Sequence, residues 1–314
     1  GRPGSGTGAV VEFGVLMMDA VTSRAQWRDR VRRMEDDGLS TLHATDHFDR
    51  APISPLLALA AAAQVTSRIR LGTLVLNNDF RQPAVLAKEI ASLSVLCDGR
   101  LEIGIGAGWM DDDYDVSGIV REPAGRRIDR LGGTLELLRA LSGGGAVDLD
   151  APGVAVRDLR NVPDLVAPLR LFVGGGGRRV LTLAGRTADV VGINFDVREG
   201  KLGAHATASA SADATDEKVG WVRAAAGDRE PLLHLVAYWS EVTEDPQAAA
   251  ARRITALGLD LTPDQLLASP HALIGPKGAV LERLAELRER WGFGYVSFYE
   301  QDLPSMLPVL DRLA

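Results

Sequence analysis

The feature that most constrains this chain is an alternation of short apolar runs with longer segments of helical periodicity, joined by only a few residues. Residues 11–18 form the first apolar run, and residues 24–37 follow as a helical segment behind Ser23, a residue type favoured at helix N-caps. Antiparallel strands can be joined by a tight turn, whereas parallel strands need a longer crossover, usually a helix. The alternation therefore predicts consecutive βα units and a parallel sheet.

Eight strand segments can be read along the chain, each preceded or followed by a helical segment. They are residues 11–18, 42–47, 69–77, 101–106, 169–173, 189–194, 232–239 and 295–299. Eight strands in this order predict an α/β fold of the TIM (β/α)8 barrel class with insertions. A doubly wound open sheet shares the same local pattern and is the alternative.

Three stretches depart from the βα pattern. Residues 143–163 carry short alternating runs among turn residues and predict an inserted hairpin or loop. Residues 199–228 are polar and rich in alanine and serine, and we interpret them as a mobile loop with a helix. Residues 1–10 predict a frayed tail or an expression-tag remnant, which leaves residues 11–314 as a single barrel domain. The length of 314 residues would also allow two medium domains.

The composition argues against several classes of protein. A net charge of −7 argues against a general nucleic-acid binder, whose footprint is strongly basic. No apolar run approaches the ~20 residues of a membrane-spanning helix. The single cysteine, Cys97, cannot form an intrachain disulfide or a thiolate metal cage by itself, which favours a reducing compartment. We therefore predict a cytoplasmic protein without nucleic-acid or membrane partners.

The predicted barrel places chemistry in the loops that follow the carboxyl ends of the strands. Asp46 and His47 stand at the end of the second strand. A histidine there could donate or accept a proton near neutral pH, with Asp46 orienting it or binding a cofactor amide. The alternative is a histidine whose ring is satisfied by a backbone carbonyl.

Amide side chains follow the third strand. Asn77 and Asn78 could read the edge of a heterocyclic ring, and Arg81 could pair with an anionic group. The sequence Asn-Asn-Asp also favours a turn, and the two interpretations are compatible.

Glycine-rich stretches follow the fourth and fifth strands. Gly104, Gly106 and Gly108 let another group approach the backbone, but no acidic ribose partner follows at dinucleotide-motif spacing, which argues against that motif. The second stretch, residues 174–177, ends at a helical segment that begins with Arg178. Bare amides at a helix start beside a cation predict a phosphate site rather than a linker. The missing Lys-Ser/Thr ending argues against a kinase or ATPase.

The other acidic and imidazole side chains give weaker signals. The acidic run at residues 111–113 predicts a solvated loop or helix start rather than an acid–base pair. His234 could point into the barrel mouth, and solvent or backbone partners are expected for the remaining histidines, His43, His205 and His271. No pair of histidines has metal-ligand spacing, so we predict no metal site.

Five motifs stand in a defined order along the chain. They are Ala-Thr-Asp-His-Phe at 44–48, Leu-Gly-Thr-Leu-Val-Leu at 71–76, Phe-Arg-Gln-Pro at 80–83, Asp-Gly-Arg-Leu-Glu-Ile-Gly-Ile-Gly-Ala-Gly-Trp at 98–109 and Leu-Ala-Gly-Arg-Thr-Ala-Asp at 183–189. Together they resemble the bacterial-luciferase-like flavin and deazaflavin oxidoreductases over most of the chain. The Asp-His-Phe version resembles the branch that uses the deazaflavin coenzyme F420.

The resemblance implies a TIM barrel, usually dimeric, in which the isoalloxazine-like ring lies across the strand ends. It implies a non-proline cis peptide bond at Leu74–Val75 that backs the ring, and His47 as the acid/base partner for hydride transfer. The residues that it assigns to the cofactor are Asp46 at the ring, Asn77 at the pyrimidine edge, Gly106, Ala107 and Gly108 along the cleft, and Gly175, Gly176, Gly177 and Arg178 at the phosphate.

Two positions depart from the pattern of some deazaflavin-dependent members. Trp109 stands where those members carry a glutamate proton donor, and Ala51 stands where they carry a tryptophan. The departures argue against a sugar phosphate or a simple alcohol as substrate. They suggest an imine, enone or dehydroamino acid, reduced at C=C or C=N, with C=O as a further option.

The resemblance and the residues together predict an F420-dependent oxidoreductase that exchanges a hydride with a small organic or peptidic substrate. An FMN-dependent monooxygenase is the alternative enzyme, because the same barrel accepts either ring. A non-catalytic cofactor-binding protein is the alternative from another class, suggested by the missing glutamate and tryptophan. Substrate specificity is expected to depend on the loops, in which no motif stands out, so the sequence does not identify the substrate.

Overall fold

Eight parallel strands close into a barrel in the structure, a computed structural model that describes residues 12–201 and 203–310. The strands are numbered in chain order as β1 (Glu12–Met17), β2 (Thr41–Ala44), β3 (Arg70–Thr73), β4 (Leu101–Gly106), β5 (Arg170–Gly175), β6 (Val190–Ile193), β7 (Leu232–Ala237) and β8 (Phe293–Tyr299). Residues 1–10, where the sequence predicts a tail, lie outside the described residues.

Each barrel strand pairs in parallel with its neighbour in chain order. The pairing of β8 with β1 places Val15 opposite Phe298, and the pairing of β3 with β4 places Leu71 opposite Leu101. These pairings complete a closed ring of eight strands. The predicted (β/α)8 barrel is therefore confirmed, and the open sheet is wrong.

Helices surround the barrel. The α-helices are Arg24–Asp36, Pro55–Ala63, Pro83–Leu96, Asp111–Ser117, Ala124–Ser142, Arg178–Thr187, Ala204–Ala208, Ala212–Ala226, Pro246–Leu257, Pro263–Ala268, Lys277–Glu286 and Leu303–Leu310. A π-helical turn, Leu287–Trp291, and two 3-10 turns, Asn78–Phe80 and Glu300–Asp302, complete the set. Helix Arg24–Asp36 has the predicted cap, since the Ser23 hydroxyl accepts a hydrogen bond from the backbone amide of Gln26 at 3.1 Å. Within the described ranges, the structure contains no helix with the length and apolar character needed to span a membrane.

The structure confirms one prediction about an inserted segment and corrects another. The hairpin predicted within 143–163 is present as two antiparallel strands, Val147–Ala151 and Val154–Leu159. The segment 199–228, predicted as a loop with one helix, contains two helices, because Ser211 caps a second one by accepting the Ala214 amide at 3.2 Å.

The seventh predicted strand, 232–239, is wrong at its end. Barrel strand β7 stops at Ala237, and Trp239–Val242 pairs in parallel with Ala272–Gly275 in a separate two-stranded sheet. Helices Pro246–Leu257 and Pro263–Ala268 connect the two strands of that sheet. The apolar run continues through Trp239 because this residue is buried in a second hydrophobic cluster, outside the barrel core.

An interior polar layer, formed by His43, Glu102, His234, Tyr295 and Ser297, lies inside the barrel. The Tyr295 hydroxyl lies 2.8 Å from His43 Nε2 and donates to Glu102 Oε1 at 3.2 Å. His234 Nε2 lies 2.8 Å from the Ser297 hydroxyl. Both histidines are buried on inward-facing strand positions. His43 was expected to contact solvent or the backbone, and His234 was expected to point into the barrel mouth. Both predictions are wrong, because both rings lie in the interior polar layer.

Burial shifts the protonation of this layer toward neutral forms. It lowers the pKa of His43 to about 3 and that of His234 well below its ordinary range. Burial also raises the pKa of Glu102 to about 7, although the nearby Arg170 guanidinium opposes the shift. Both histidines are therefore neutral at physiological pH.

Candidate functional site

The third strand is interrupted at the mouth of the barrel. β3 ends at Thr73, and the chain pairs with β4 again only at Leu76–Asn77. Between these segments the Leu74–Val75 peptide bond is cis, as the resemblance implied. The strand predicted for residues 69–77 is therefore present as two segments, and between them the chain leaves the ladder of β4.

Val75 lies among three glycines of the neighbouring strands. A Cβ atom on Gly104 or Gly106 would lie 3.1 or 2.9 Å from a Val75 methyl group, and one on Gly174 would lie 3.4 Å away. Gly104 and Gly106, which were predicted to admit another group, therefore admit the chain's own Val75, and Gly104 also admits the Thr73 carbonyl. Leu74, Val75 and these three glycines are called the mouth floor below.

Asp46 is bound by Arg81 and not by His47. The Arg81 guanidinium donates to both carboxylate oxygens, at 2.6 and 3.1 Å. The backbone amide of Asn77 donates to Oδ2 at 2.9 Å. The hypothesis that Asp46 orients His47 is therefore wrong. The anionic group expected for Arg81 is this carboxylate, because the two loops meet beside the mouth floor.

His47 is oriented by an aspartate in the first turn of helix Asp111–Ser117, which follows β4. Its Nδ1 lies 2.6 Å from Asp113 Oδ2, and the Phe48 backbone amide donates to Asp113 Oδ1 at 3.0 Å. The His47 side chain is 22% exposed and that of Asp113 is 3% exposed. The Trp109 ring packs edge to face against the His47 ring, with the centroids 6.0 Å apart.

The acidic run at 111–113 is therefore only partly the solvated helix start that the sequence predicted. Asp112 is exposed, but Asp113 points inward from the first turn of helix Asp111–Ser117. The physical reason is the pair of donors that meets it there, the His47 ring and the Phe48 amide.

Asn77 is already engaged by protein groups. Its Nδ2 donates to the Tyr114 hydroxyl at 3.3 Å, and its Oδ1 accepts the Asp79 amide at 3.0 Å. A Cβ atom on Gly108 would lie 2.1 Å from that hydroxyl, and Gly108 has a φ of 76°, so this position requires glycine. Burial raises the pKa of Tyr114 to about 12, so its hydroxyl stays protonated at neutral pH.

Asn78 is a buried amide without partners. The residue is 2% exposed, and neither its Nδ2 nor its Oδ1 forms a hydrogen bond within the described ranges. Leaving a buried amide unpaired is costly, and a ligand that supplies a donor and an acceptor would recover part of that cost. The ring-edge role stays a prediction for Asn77 and Asn78, and Asn78 is the one of the two whose side-chain amide has no partner among the described residues.

Arg127 holds the loop that follows β4. It is buried, and its Nη1 donates to the carbonyl of Ala107 at 3.0 Å and also to that of Gly108. Its Nε donates to the Glu122 carbonyl at 2.9 Å. These contacts fix the stretch of backbone that was predicted to line a cofactor cleft.

The helix after the second glycine stretch begins without a capping side chain. Gly177 is the N-cap of helix Arg178–Thr187, and no side chain in the described part of the chain accepts a hydrogen bond from the first backbone amides of this helix. Arg178 is exposed and forms no hydrogen bond or ion pair with any described residue. Asp196 Oδ1 lies 4.0 Å from the position of a Cβ atom on Gly177. Free amides and a free cation are the features of an anion site.

The neighbouring glycines have a packing role. A Cβ atom on Gly175 would lie 2.3 Å from a Val180 methyl group, and one on Gly176 would lie 1.9 Å from the Phe195 carbonyl oxygen. Close packing between strand, helix and loop therefore accounts for these two glycines. A Cβ atom on Gly177 would meet only Asp196 Oδ1, at 4.0 Å, so packing does not account for this glycine.

Three residues of this site were not assigned to it by the sequence: Asp113, Tyr114 and Arg127. Asp113 lies 66 residues from His47 in the chain, and no spacing rule connects two loops that far apart. The acidic run was the available signal, and its composition favoured a solvated surface.

Comparison with known proteins agrees with this architecture. The sequence model described as luciferase-like monooxygenase matches residues 10–294. A monooxygenase from Streptomyces bottropensis is similar in structure, with a TM-score of 0.74, 20% identity, and coverage of 96% of this chain and 100% of that one. The coenzyme F420-dependent tetrahydromethanopterin reductase from Methanopyrus kandleri has a TM-score of 0.72, 18% identity, and coverage of 96% and 97%.

A curated relative is similar over part of its length. The F420-dependent glucose-6-phosphate dehydrogenase of Kribbella flavida is 32% identical over 165 residues, which cover 50% of this chain and 49% of that protein. The chain thus spans about half the length of this relative. The family match, in contrast, extends over most of the chain. The chain therefore belongs to the luciferase-like monooxygenase family of oxidoreductases.

Proposed function

We propose that this protein binds the deazaflavin coenzyme F420 at the barrel mouth and exchanges a hydride with a small organic or peptidic substrate. The observation that carries the proposal is His47, which follows the carboxyl end of β2, is held by Asp113 and is still partly exposed. A histidine with one nitrogen bound to a carboxylate has the other nitrogen free to exchange a proton. Reduction or oxidation at C=C, C=N or C=O needs such a group, because a proton moves together with the hydride.

The residues at the mouth fit a deazaflavin or flavin. Such a group needs an apolar surface under its ring, hydrogen-bond partners at its pyrimidine edge and an anion site for its phosphate. Leu74 and Val75 would supply the surface, Asn78 the edge partners, and the helix start at Gly177 and Arg178 the anion site. When bound, the deazaflavin supplies the hydride donor or acceptor.

The other residues that the resemblance assigns to the cofactor would act mainly by shaping this site. They are Asp46 and Asn77 beside the floor, Gly106, Ala107 and Gly108 in the loop after β4, and Gly175 and Gly176 under the helix start. Their contacts with Arg81, Tyr114, Arg127, Val180 and Phe195 position the backbone on which the ring and phosphate would rest.

The proton is the part of the reaction that this chain would handle itself. His47 would take a proton from the substrate when the substrate is oxidised and return it when the substrate is reduced. The Trp109 ring lies nearly perpendicular to the His47 ring, with the two centroids 6.0 Å apart, and would restrict the directions from which water reaches it.

An FMN-dependent monooxygenase is the second candidate. The description of the family and that of the Streptomyces bottropensis structure support it. The names of the Kribbella flavida relative and of the Methanopyrus kandleri reductase support F420. Both cofactors bring a tricyclic ring and a phosphate, so the same floor and helix start would serve either.

Titration with F420 and with FMN, followed by quenching of tryptophan fluorescence, tests the cofactor. We expect F420 to bind more tightly than FMN. Reduced F420 is then incubated with a panel of imines, enones, dehydroamino acids and ketones, and its reoxidation is followed by absorbance. Oxygen uptake that depends on both reduced FMN and a substrate would instead establish the monooxygenase. F420 binding without transfer to any panel member would favour the non-catalytic protein.

We also propose that the protein forms a homodimer in the cytoplasm. Helices Pro55–Ala63 and Pro83–Leu96 are neighbours and carry exposed apolar side chains, including Leu57 and Val85. The free thiol of Cys97 is buried, which is compatible with a reducing compartment. Sedimentation velocity tests the assembly: we expect a dimer for the wild type and a monomer for Leu57→Arg, and a monomeric wild type would overturn the proposal.

A further inference from the structure

We infer that Asp113 is a positioning residue that sets which nitrogen of His47 carries the proton. His47 lies in the loop after β2 and Asp113 in the helix that follows β4, and His47 Nδ1 meets Asp113 Oδ2 at 2.6 Å. The second oxygen of Asp113 accepts the Phe48 amide at 3.0 Å, so the carboxylate is held at both ends. The consequence for turnover rests on the proposed function, whereas the proton position is a property of the protein alone.

The donor and acceptor roles follow from the chemistry of a carboxylate. An ionised carboxylate only accepts hydrogen bonds, so the short contact with Oδ2 requires a hydrogen on His47 Nδ1. In the neutral ring, Nε2 then carries the lone pair and is the nitrogen that can take a proton. Once Nε2 is protonated, the positive charge of the ring lies beside the Asp113 carboxylate, which stabilises it.

The other groups around the ring do not compete for this role. The Asp46 carboxylate, next to His47 in sequence, accepts hydrogen bonds from the Arg81 guanidinium and from the backbone amide of Asn77. Trp109 contacts the ring edge to face and so restricts its plane without accepting the Nδ1 proton. Asp113 is therefore the group that fixes the tautomer.

The substitution Asp113→Asn changes this arrangement in a defined way. Asparagine has the same shape but one acceptor oxygen, and its amide nitrogen only donates. The Phe48 amide needs that oxygen, so the asparagine NH2 group faces His47 Nδ1. Nδ1 must then accept, and the ring proton moves to Nε2, the nitrogen that the reaction needs free.

Imidazole ¹⁵N NMR of the full-length protein, without added cofactor, reads the proton position directly. The chain has five histidines, so the His47 signals can be assigned from the spectrum of His47→Gln. At about pH 9, where an ordinary histidine is neutral, we expect the proton on Nδ1 in the wild type and on Nε2 in Asp113→Asn.

Asp112→Asn is the matched control, because Asp112 is exposed in the same helical turn and its loss removes the same charge. Its His47 signals should match those of the wild type. A wild-type proton on Nε2, or a proton position unchanged in a folded Asp113→Asn variant, overturns the inference. The wild-type spectrum decides alone if that variant does not fold.

Turnover gives the second measurement. With reduced F420 and the best substrate of the panel, Asp113→Asn should lower kcat by about 10²–10⁴ and leave the Kd of F420 unchanged. A loss of F420 affinity as large as the loss of kcat would indicate a purely structural role and overturn the inference. If neither F420 nor FMN binds, the proposed function fails, and the NMR result still decides the role of Asp113.

Discussion

The interior polar layer and the barrel mouth each place a histidine near a carboxylate, and of these two regions only the mouth is open to a ligand. In the interior polar layer, His43 and Glu102 share Tyr295 as a partner, and all three side chains are fully buried. At the mouth, His47 contacts Asp113 directly and remains 22% exposed. The same side-chain types therefore serve packing in one region and, we propose, chemistry in the other.

The two regions differ in how they stabilise histidine and carboxyl groups that have been removed from water. Inside the barrel, burial favours the uncharged forms, which lowers the pKa of His43 to about 3 and raises that of Glu102 to about 7. A neutral tyrosine bridges the two groups. At the mouth, a carboxylate touches the imidazole itself and its other oxygen is bound by a backbone amide. Direct pairing, with access from one side, is what a proton-transfer group needs.

The largest expected effect separates the two histidines by turnover. His47→Ala should lower kcat with reduced F420 by about 10²–10⁴ and leave the Kd of F420 nearly unchanged, because it removes the proton-transfer group. His43→Ala, assayed well below its melting temperature, should keep the wild-type kcat, since its ring does not reach the mouth. Steady-state kinetics measures both, and wild-type turnover in His47→Ala would contradict the assignment.

For the free energy of unfolding, we expect His43→Ala to have the larger effect and His47→Ala the smaller one. His43→Ala removes a fully buried ring and one of the two hydrogen-bond partners of the Tyr295 hydroxyl, so we expect a loss of about 2–5 kcal/mol in the free energy of unfolding. His47→Ala should cost less, because its side chain is partly exposed. Urea unfolding measures both variants, and equal losses would show that the mouth histidine is as structural as the interior one.

The pH dependence of stability should follow the interior layer. Glu102 has a pKa raised from 4.5 to about 7, so its contribution is present below pH 4.5 and is lost as the pH rises through about 7. His43 has a pKa lowered from 6.5 to about 3, so its contribution is present above pH 6.5 and is lost as the pH falls toward 3.

Glu102→Gln isolates the first of these two contributions. Relative to the wild type, the variant should gain up to about 3 kcal/mol in free energy of unfolding between pH 4.5 and 7, because glutamine does not ionise. Glu136→Gln, on the exposed side of helix Ala124–Ser142, should show no such change. Unfolding curves at several pH values test this, and parallel profiles for Glu102→Gln and the wild type would contradict it.

The smallest expected effect concerns the anion site. Arg178→Ala should weaken F420 binding about tenfold, or ~1.4 kcal/mol, because it removes the free cation beside the helix start. Arg186→Ala removes the same charge from the last turn of the same helix and should leave the Kd unchanged. Fluorescence titration compares them, and equal effects would mean that general charge, rather than the helix start, attracts the phosphate.

Local structure was predicted well where local chemistry decides it. Helix Arg178–Thr187 begins at the predicted residue, directly after the glycine run, and helix Arg24–Asp36 begins at the predicted residue behind its Ser23 cap. The break in β3 was implied by the resemblance and not by the run itself, which is apolar throughout. The end of β7 was predicted wrongly because an apolar run does not show which of two hydrophobic clusters it enters.

The site was predicted in part. The positions of Asp46, His47, Asn77 and Arg178 at the carboxyl ends of strands were confirmed, because the order of βα units places every such loop at one end of a barrel. Their partners were not predicted. Asp46 pairs with Arg81 and His47 with Asp113, although Asp46 is the neighbour of His47 in sequence.

The sequence by itself determined the barrel, the end of it that carries the polar loops, and the glycines and helix start suited to an anion. All of these follow from periodicity and from residue types at fixed spacing along one segment. The tertiary structure decided which carboxylate meets which base, which glycines serve packing, and which histidines are sealed inside. Those contacts join loops or strands far apart in the chain, and they form only when the ring of strands closes.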